Sequence, residues 1–216
     1  MRVDVPRELL ERLDRPGPRY TSYPTVPAWS NEFDAGAWQE ALHDLAAQPE
    51  REVSVYVHLP YCVKRCHYCG CNAAIPDSRA DVDRYLDHLE RELDLAAAIL
   101  GRRTVVQMHW GGGTPNYQTD AQLQRTWQLL ADRFELAGEC SLECDPRAAR
   151  PDQPHFLREL GFNRISMGVQ DFDPRVQEAI GRRQPEKVTR RFVDSCREAG
   201  FESVNLDLVY GLPHQT

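Results

Sequence analysis

Apolar and polar positions alternate in five short stretches of the chain, and between these stretches apolar residues recur at helical spacing. The alternating stretches predict strands at 53–59, 104–110, 140–144, 164–170 and 204–209. The helical spacing predicts helices near 80–100, 120–133, 152–160 and 185–199. Gly161 and Gly200 come just after two of these helices, where glycine commonly ends a helix. Strands that alternate with helices in this way predict an α/β fold with a parallel sheet.

One face of each predicted strand is polar, and the other is mostly Val, Leu, Ile or Met. The polar side chains are Ser54, Tyr56, His58, Gln107, His109, Ser141, Glu143, Ser166, Gln170, Asn205 and Asp207. A flat doubly wound sheet would meet helices on both faces and would be largely apolar on both. A barrel wall with a solvated or ligand-filled lumen explains one polar face, so the pattern favours a partial TIM-like barrel. In such barrels the chemistry lies at the carboxyl ends of the strands.

The two ends of the chain depart from this repeat. Residues 1–33 are rich in proline, which predicts an irregular N-terminal arm. Asp34 then predicts the start of a helix that carries Trp38, Leu42 and Leu45 on one side. We expect residues 1–50 to form this arm and helix, and residues 51–216 to form the barrel core. Because the chain stops directly after a strand, we expect the barrel to be incomplete at its C-terminal end.

Composition narrows the classes of protein that the chain can belong to. Its 216 residues are 41% hydrophobic and 27% charged, which is ordinary for a globular domain with a buried core. The net charge of -7 argues against a nucleic-acid surface, since phosphate binding generally needs a basic face. No apolar run approaches the ~20 residues of a membrane span, and the first 13 residues lack the apolar core of a signal peptide. We therefore expect a cytoplasmic protein with no membrane span.

Four cysteines follow the first predicted strand at close spacing: Cys62, Cys66, Cys69 and Cys71. Disulfides between them would close small strained loops, and cytoplasmic thiols stay reduced. A structural zinc site usually takes its ligands from two Cys pairs that lie well apart in the chain. The spacing Cys-x3-Cys-x2-Cys suits three corners of a [4Fe-4S] cluster, which leaves one iron for another ligand. Spacing alone leaves zinc and core-filling cysteines open as alternatives.

This loop resembles the signature of the radical S-adenosylmethionine (SAM) superfamily. In that superfamily three cysteines, here Cys62, Cys66 and Cys69, hold a [4Fe-4S] cluster, and SAM chelates the fourth iron. Residues 56–60 before the loop, Cys69-Gly70-Cys71-Asn72 at its end, and residues 18–25 of the arm are similar to the oxygen-independent coproporphyrinogen III oxidases of haem synthesis. The resemblance covers nearly the whole chain. Members of that family continue beyond the point that corresponds to Thr216, so the resemblance also implies an N-terminal fragment of a radical-SAM barrel.

The resemblance implies a set of cofactor ligands. The cofactor-binding positions are Tyr56, Tyr68, Gly112, Gly113, Thr114, Glu143, Gln170, Arg182 and Asp207. Among these, Tyr68, Gln170, Arg182 and Asp207 would contact a second SAM. Without the family, a tight turn at the glycines, a core tyrosine at Tyr56 and an exposed helix-end arginine at Arg182 are the alternatives. Cys71 is left outside the metal ligands, because the cluster needs three thiolates.

The implied activity is the oxidative decarboxylation of coproporphyrinogen III to protoporphyrinogen IX without oxygen. An electron from an unidentified donor would cleave SAM to a 5'-deoxyadenosyl radical, which takes a hydrogen atom from a propionate side chain. The alternative is a haem-binding chaperone on the same scaffold. Relatives of that kind commonly lack the second cysteine of Cys69-Gly70-Cys71 and the arm at residues 19–23. Both are present here, which favours the oxidase.

Overall fold

The computed structural model describes residues 5–14, 25–30 and 32–215. It divides the chain into two compact units, residues 1–41 and 42–216. The arm at residues 19–23 lies outside the described residues, and the predicted domain boundary at residue 50 stays a prediction.

The first unit contains helix α1 (Arg7–Leu13), a 3₁₀ turn (Val26–Ala28) and the start of helix α2 (Ala35–Ala46). The side chain of Asp34 accepts a hydrogen bond from the Ala37 backbone N–H at 2.9 Å. This contact pairs one of the N–H groups that a helix start leaves unsatisfied. The predicted helix start at Asp34 is therefore confirmed.

The second unit is a parallel sheet whose strands follow one another in chain order. The described residues form β1 (Val53–Leu59), β2 (Thr104–Gly112), β3 (Glu135–Cys144), β4 (Arg164–Gln170) and β5 (Ser203–Leu208). Each strand pairs with the next in parallel register, in the order β1-β2-β3-β4-β5. Sequential order is typical of a barrel wall, whereas a doubly wound sheet reverses direction at a switch point. The parallel strand–helix repeat predicted from the sequence is confirmed.

The crossover helices cover one face of this sheet. They are α3 (Arg79–Leu100), α4 (Asp120–Ala131), α5 (Gln153–Leu160) and α7 (Glu186–Glu198), whereas the short α6 (Pro174–Ala179) packs in a separate apolar cluster with Leu212. A capping box starts α4, because Thr119 Oγ1 accepts from the Gln122 N–H at 3.3 Å and Gln122 Oε1 accepts from the Thr119 N–H at 3.1 Å. The sequence pattern did not predict α6, since six residues are too few to show helical spacing.

The core lies between the apolar face of the sheet and these helices. In β4, Ile165, Met167 and Val169 are at most 1% exposed, while Ser166 and Gln170 on the other face are only half-buried. The ring of Trp110 meets that of Phe162 edge-on at 4.8 Å, and Trp127 joins them. The predicted one-sided burial is thus confirmed for β4 and β1, whereas in β5 the apolar residues Leu206 and Leu208 are exposed. Among the described residues, no helix combines the length and apolar character that crossing a bilayer needs.

Strand β3 begins five residues earlier than the predicted start at residue 140. Its first residues pair with Thr104 and Val105, and the register then shifts between Val105 and Gln107. Gly138 lies at this irregularity, where a Cβ atom would stand 1.9 Å from the Val106 carbonyl oxygen. A glycine inside the strand interrupts the alternation of apolar and polar side chains, which is why the pattern missed this part.

Candidate metal centre

The cysteine loop is fastened at its base to the ends of β1 and β2. The Cys62 N–H donates to the Ala74 carbonyl at 2.9 Å, and the Ala74 N–H donates to the Pro60 carbonyl at 2.8 Å. From β2, the Gly113 N–H donates to the Leu59 carbonyl at 2.9 Å. These backbone bonds place Cys62 at the carboxyl edge of the sheet, where a barrel carries its chemistry.

A second attachment joins the loop to a distant part of the chain. The His67 N–H donates to the Ile180 carbonyl at 3.0 Å, and the His67 ring Nδ1 lies 3.0 Å from the Ala179 carbonyl. Because a carbonyl oxygen only accepts, Nδ1 carries the ring proton. A Cβ atom on Gly181 would stand 2.9 Å from His67 Nε2, so this glycine lets the chain approach the ring. The loop is therefore anchored next to Arg182.

The three predicted metal ligands line a cavity of about 230 Å³. The other predicted site residues on its wall are Tyr68, Gly112, Gly113, Thr114, Glu143, Gln170, Arg182 and Asp207. Tyr56 does not line it. A Cβ atom on Gly111 would lie 2.9 Å from the Tyr56 hydroxyl and 3.3 Å from Glu143 Cδ, which puts Tyr56 beside Glu143. The fold therefore brings the predicted residues together, and their ligand roles stay predictions.

The glycines at the end of β2 are required because other parts of the chain approach them closely. A Cβ atom on Gly112, whose φ is +112°, would stand 2.7 Å from the His58 ring, and one on Gly113 would stand 2.5 Å from the Pro60 carbonyl oxygen. The sequence pattern indicated close approach of a ligand to these glycines. The structure shows close approach of the first strand and the cysteine loop.

The thiols of the loop have hydrogen-bond donors around them. Thr114 Oγ1 donates to Cys62 Sγ at 3.2 Å, and burial raises the pKa of Cys62 while this hydrogen bond acts in the opposite direction. The Cys66 sulfur lies 3.8 Å from Arg147 Nη2 and 3.8 Å from Arg182 Nη1. Burial and a hydrogen bond with Cys69 raise the pKa of Cys71 to about 11.

These donors fit an iron–sulfur cluster better than a single ion. Among the described residues, no three His, Cys, Asp or Glu side chains converge closely enough to hold one metal ion. A tetrahedral zinc site needs ligand atoms within about 2.3 Å of one point. Three thiols spread around a cavity, with cationic donors on one sulfur, suit a larger cluster with thiolate corners.

Two residues of the site were missed by the sequence reasoning. Asp145 is buried and accepts from Arg147 Nη2 at 2.6 Å and from Arg182 Nη1 at 3.1 Å. Burial acts to raise the pKa of Asp145, but hydrogen bonds from Arg147 and the charge of Arg182 hold it below its usual value. Both residues follow β3 directly, at the same edge as the cysteine loop. Reading polar residues past the end of each strand, and not only to its last residue, would have found them.

Arg182 is not an exposed helix-end arginine. Its side chain is 7% exposed, and Nη2 donates to the Gly168 carbonyl at 2.6 Å. That alternative is wrong because the guanidinium is surrounded by the site. Arg182 also acts on Tyr68, whose pKa is raised by burial and lowered in part by the arginine's charge.

The other predicted polar residues have partners on the polar face of the sheet. Glu143 lies 3.5 Å from His109 Nε2, and His109 Nδ1 is 2.8 Å from Ser141 Oγ. Asp207 accepts from Ser166 Oγ at 2.9 Å. Each lumen carboxylate therefore has a protein partner before any ligand binds.

Gln170 has a backbone φ of 70° at the end of β4. A non-glycine residue in this left-handed region is strained, and such residues concentrate at functional sites. The strain supports the prediction that Gln170 serves the site.

Comparison with known proteins assigns the class. The Radical SAM superfamily profile matches residues 56–216. The chain belongs to the radical SAM superfamily, and its cofactors are accordingly a [4Fe-4S] cluster and SAM.

Relatives within this superfamily are more specific. The chain is 44% identical to the oxygen-independent coproporphyrinogen III oxidase of Escherichia coli, over 99% of the chain and 47% of the relative. It is 43% identical to the protein of the same name from Synechocystis, over 99% of the chain and 46% of the relative. A solved structure of the E. coli coproporphyrinogen III oxidase, described as a radical SAM enzyme, matches with a TM-score of 0.87 and 42% identity, covering 100% of the chain and 48% of that structure. The chain spans about half the length of these relatives.

Proposed function

We propose that this chain forms the cofactor-binding core of an oxygen-independent coproporphyrinogen III oxidase in the cytoplasm. The observation that carries the proposal is 44% identity to a relative of that name over 99% of the chain. The cavity supports it, because the residues that the resemblance names, except Tyr56, line it together with three cysteines at one edge of the sheet. The substrate is then coproporphyrinogen III, and the electron donor stays unidentified.

In this proposal Cys62, Cys66 and Cys69 hold the cluster. When bound, the cluster and SAM would supply radical chemistry that removes a hydrogen atom from a propionate side chain of the substrate. Each propionate then loses carbon dioxide and one electron as it becomes a vinyl group. Because that electron must leave the substrate, turnover needs an electron acceptor as well as a donor for SAM cleavage.

The chain's own residues would bind and orient SAM. Glu143 would accept a hydrogen bond from the first SAM, since its carboxylate lies on the cavity wall with His109 Nε2 at 3.5 Å. Tyr56 lies beside Glu143 and would contact the same molecule. Gly112, Gly113 and Thr114 line the same cavity and would contact SAM there, although the Gly113 N–H and the Thr114 hydroxyl already donate to Leu59 and Cys62.

A second SAM would contact Tyr68, Gln170, Arg182 and Asp207. These four residues share the wall of the cavity. Arg182 has a buried Nε that lacks a hydrogen-bond partner among the described residues, which is a donor that a ligand would satisfy.

The test is anaerobic reconstitution followed by a SAM-cleavage assay. We expect about four irons and four sulfides per chain. In the presence of a reductant we expect 5'-deoxyadenosine to form, and its rate of formation to rise when coproporphyrinogen III is added. Stoichiometric zinc with no iron would contradict the radical chemistry. Tight haem binding without any response of SAM cleavage to coproporphyrinogen III would instead indicate the haem-binding chaperone.

The matched control for this assay is Cys196→Ser. Cys196 is buried in the core and does not line the cavity, so its variant should keep the iron and the cleavage activity. Cys66→Ser should lose both, because Cys66 lies on the cavity wall and is one of the three proposed cluster ligands.

A further inference from the structure

Two guanidinium groups converge on one thiol and one carboxylate. Arg147 Nη2 and Arg182 Nη1 each lie 3.8 Å from Cys66 Sγ. The same two nitrogens lie 2.6 Å and 3.1 Å from Asp145 Oδ2. Among the described residues, Cys66 has guanidinium contacts of this kind, whereas Cys62 and Cys69 have none. The environment of the cluster is therefore asymmetric.

The arrangement is rigid. Arg147 donates to Asp145 through its backbone N–H at 2.9 Å and through Nε at 3.0 Å, in addition to Nη2. The loop under Asp145 is held by Asn116, whose Oδ1 accepts from the Asp145 N–H at 2.8 Å. Asn116 in turn bonds to the fully buried Gln153 at 3.1 Å. A surface arginine that reached the thiol by chance would have no such support.

The physical effect of this arrangement is electrostatic. Two cations and one anion leave a net positive charge beside the Cys66 sulfur in a partly buried site, where water screens charge weakly. Hydrogen bonds to cluster sulfurs and the local net charge are among the factors that set the reduction potential of an iron–sulfur cluster. A cation stabilises the more negative, reduced form, so it raises the potential, and an anion lowers it.

We propose that Arg147 and Asp145, together with Arg182, set the reduction potential of the cluster through Cys66. Arg147 raises the potential by its charge and by its hydrogen bond to the sulfur. Asp145 opposes it by its charge, and it also positions both arginines. This inference rests on the cluster of the proposed function, and it assigns a role to two residues that the cofactor-ligand prediction left out.

The experiment is a redox titration of the cluster-loaded protein, followed by electron paramagnetic resonance of the reduced cluster. In Arg147→Gln we expect the ratio of reduced to oxidised cluster at a fixed potential to fall at least tenfold, which is about 59 mV for a one-electron couple. Arg147→Lys keeps the charge and should shift the ratio less. The matched control is Arg150→Gln, because Arg150 belongs to the same segment, pairs with Asp120 and lies off the cavity wall.

The direction in which the ratio shifts in a second variant distinguishes an effect of charge from a general disruption of the site. Asp145→Asn removes the anion but keeps a side-chain oxygen that can accept a hydrogen bond from the arginines, so we expect the ratio to rise, opposite to Arg147→Gln. A general loosening of the site would move both variants in the same direction, and that result would overturn the proposal. A ratio for Arg147→Gln within the range of Arg150→Gln would overturn it as well.

If Arg147→Gln fails to retain iron, Asp145→Asn alone tests the proposal, and the ratio of reduced to oxidised cluster must then rise in that variant. A wild-type chain that takes up no iron would overturn the proposed function and this inference together. A wild-type chain that binds the cluster and cleaves SAM, with potentials unchanged by both substitutions, would overturn the inference alone.

Discussion

Gly113→Ala should destabilise the chain and abolish iron uptake, although no cysteine is changed. The new Cβ would stand 2.5 Å from the Pro60 carbonyl oxygen and 3.0 Å from the Tyr61 nitrogen. The first distance is roughly 1 Å less than the ~3.5 Å at which heavy atoms normally pack. Both atoms belong to the backbone, so a rotamer change cannot relieve the clash, and the cysteine loop must move.

The expected cost combines overpacking with lost hydrogen bonds. Overpacking in a close-packed region costs about 1–3 kcal/mol. Moving Pro60 also weakens the bonds that fasten the loop, such as Ala74 N–H to Pro60 O at 2.8 Å, each of them worth about 1 kcal/mol. We expect the free energy of unfolding of the metal-free chain to fall by about 2–4 kcal/mol.

Urea unfolding followed by tryptophan fluorescence measures this change, because Trp110 is fully buried in the native state. Iron analysis after anaerobic reconstitution measures whether the cysteine loop still takes up iron. The matched control is Gly70→Ala in the same loop, where a Cβ would meet nothing within 4 Å. That control should change stability by less than about 0.5 kcal/mol. If Gly113→Ala kept both the stability and the iron content of Gly70→Ala, the argument from close approach would be refuted.

Three further outcomes are expected from single substitutions. Cys69→Ser should lose the iron and Cys71→Ser should keep it, as measured by iron analysis; iron loss in Cys71→Ser would mean that four thiolates bind the metal. Asp145→Asn should lower the free energy of unfolding at pH 7 by about 3 kcal/mol, because it leaves cations unpaired in a partly buried site. The folded-state pKa of Asp145 is lowered, so its stabilisation is complete above the unfolded pKa of about 3.9 and is lost as the pH falls through the folded pKa. The stability deficit of the variant in urea unfolding should therefore shrink below about pH 4. A deficit that did not depend on pH would assign the loss to packing. Gln153→Leu should cost about 1–3 kcal/mol, because one side-chain N–H and the backbone carbonyl of the buried Asn116 lose their partner. A denaturant midpoint equal to that of the wild type would show that water replaces these bonds.

Strict alternation made the strands predictable where it was present. In β4 every second residue is buried, and the predicted bounds of 164–170 agree with the structure. In β3 the alternation fails at Gly138, and the predicted strand began too late. The short α6 has too few residues for a helical period to be visible.

The residues of the site were predictable to different degrees. The cysteine spacing is a local pattern, and it indicated the metal centre directly. The position of Arg182 depends on contacts with Gly168 and Asp145, which lie 14 and 37 residues away in the chain, so spacing alone could not place it. Arg147 carries no local pattern of its own, because its importance comes from the thiol 81 residues earlier in the chain.

The attachment of His67 to Ala179 and Ile180 determines when the site can be assembled during synthesis of the chain. The cysteine loop leaves the ribosome first, but the arginine that reaches the Cys66 sulfur follows 116 residues later. At synthesis rates of about 5–20 residues per second, this delay is roughly 6–23 s. During that interval the thiols of the nascent chain lack their final surroundings. The site can close only when the residues around 182 have been synthesised, so the cysteine loop cannot reach its native surroundings before that point of synthesis.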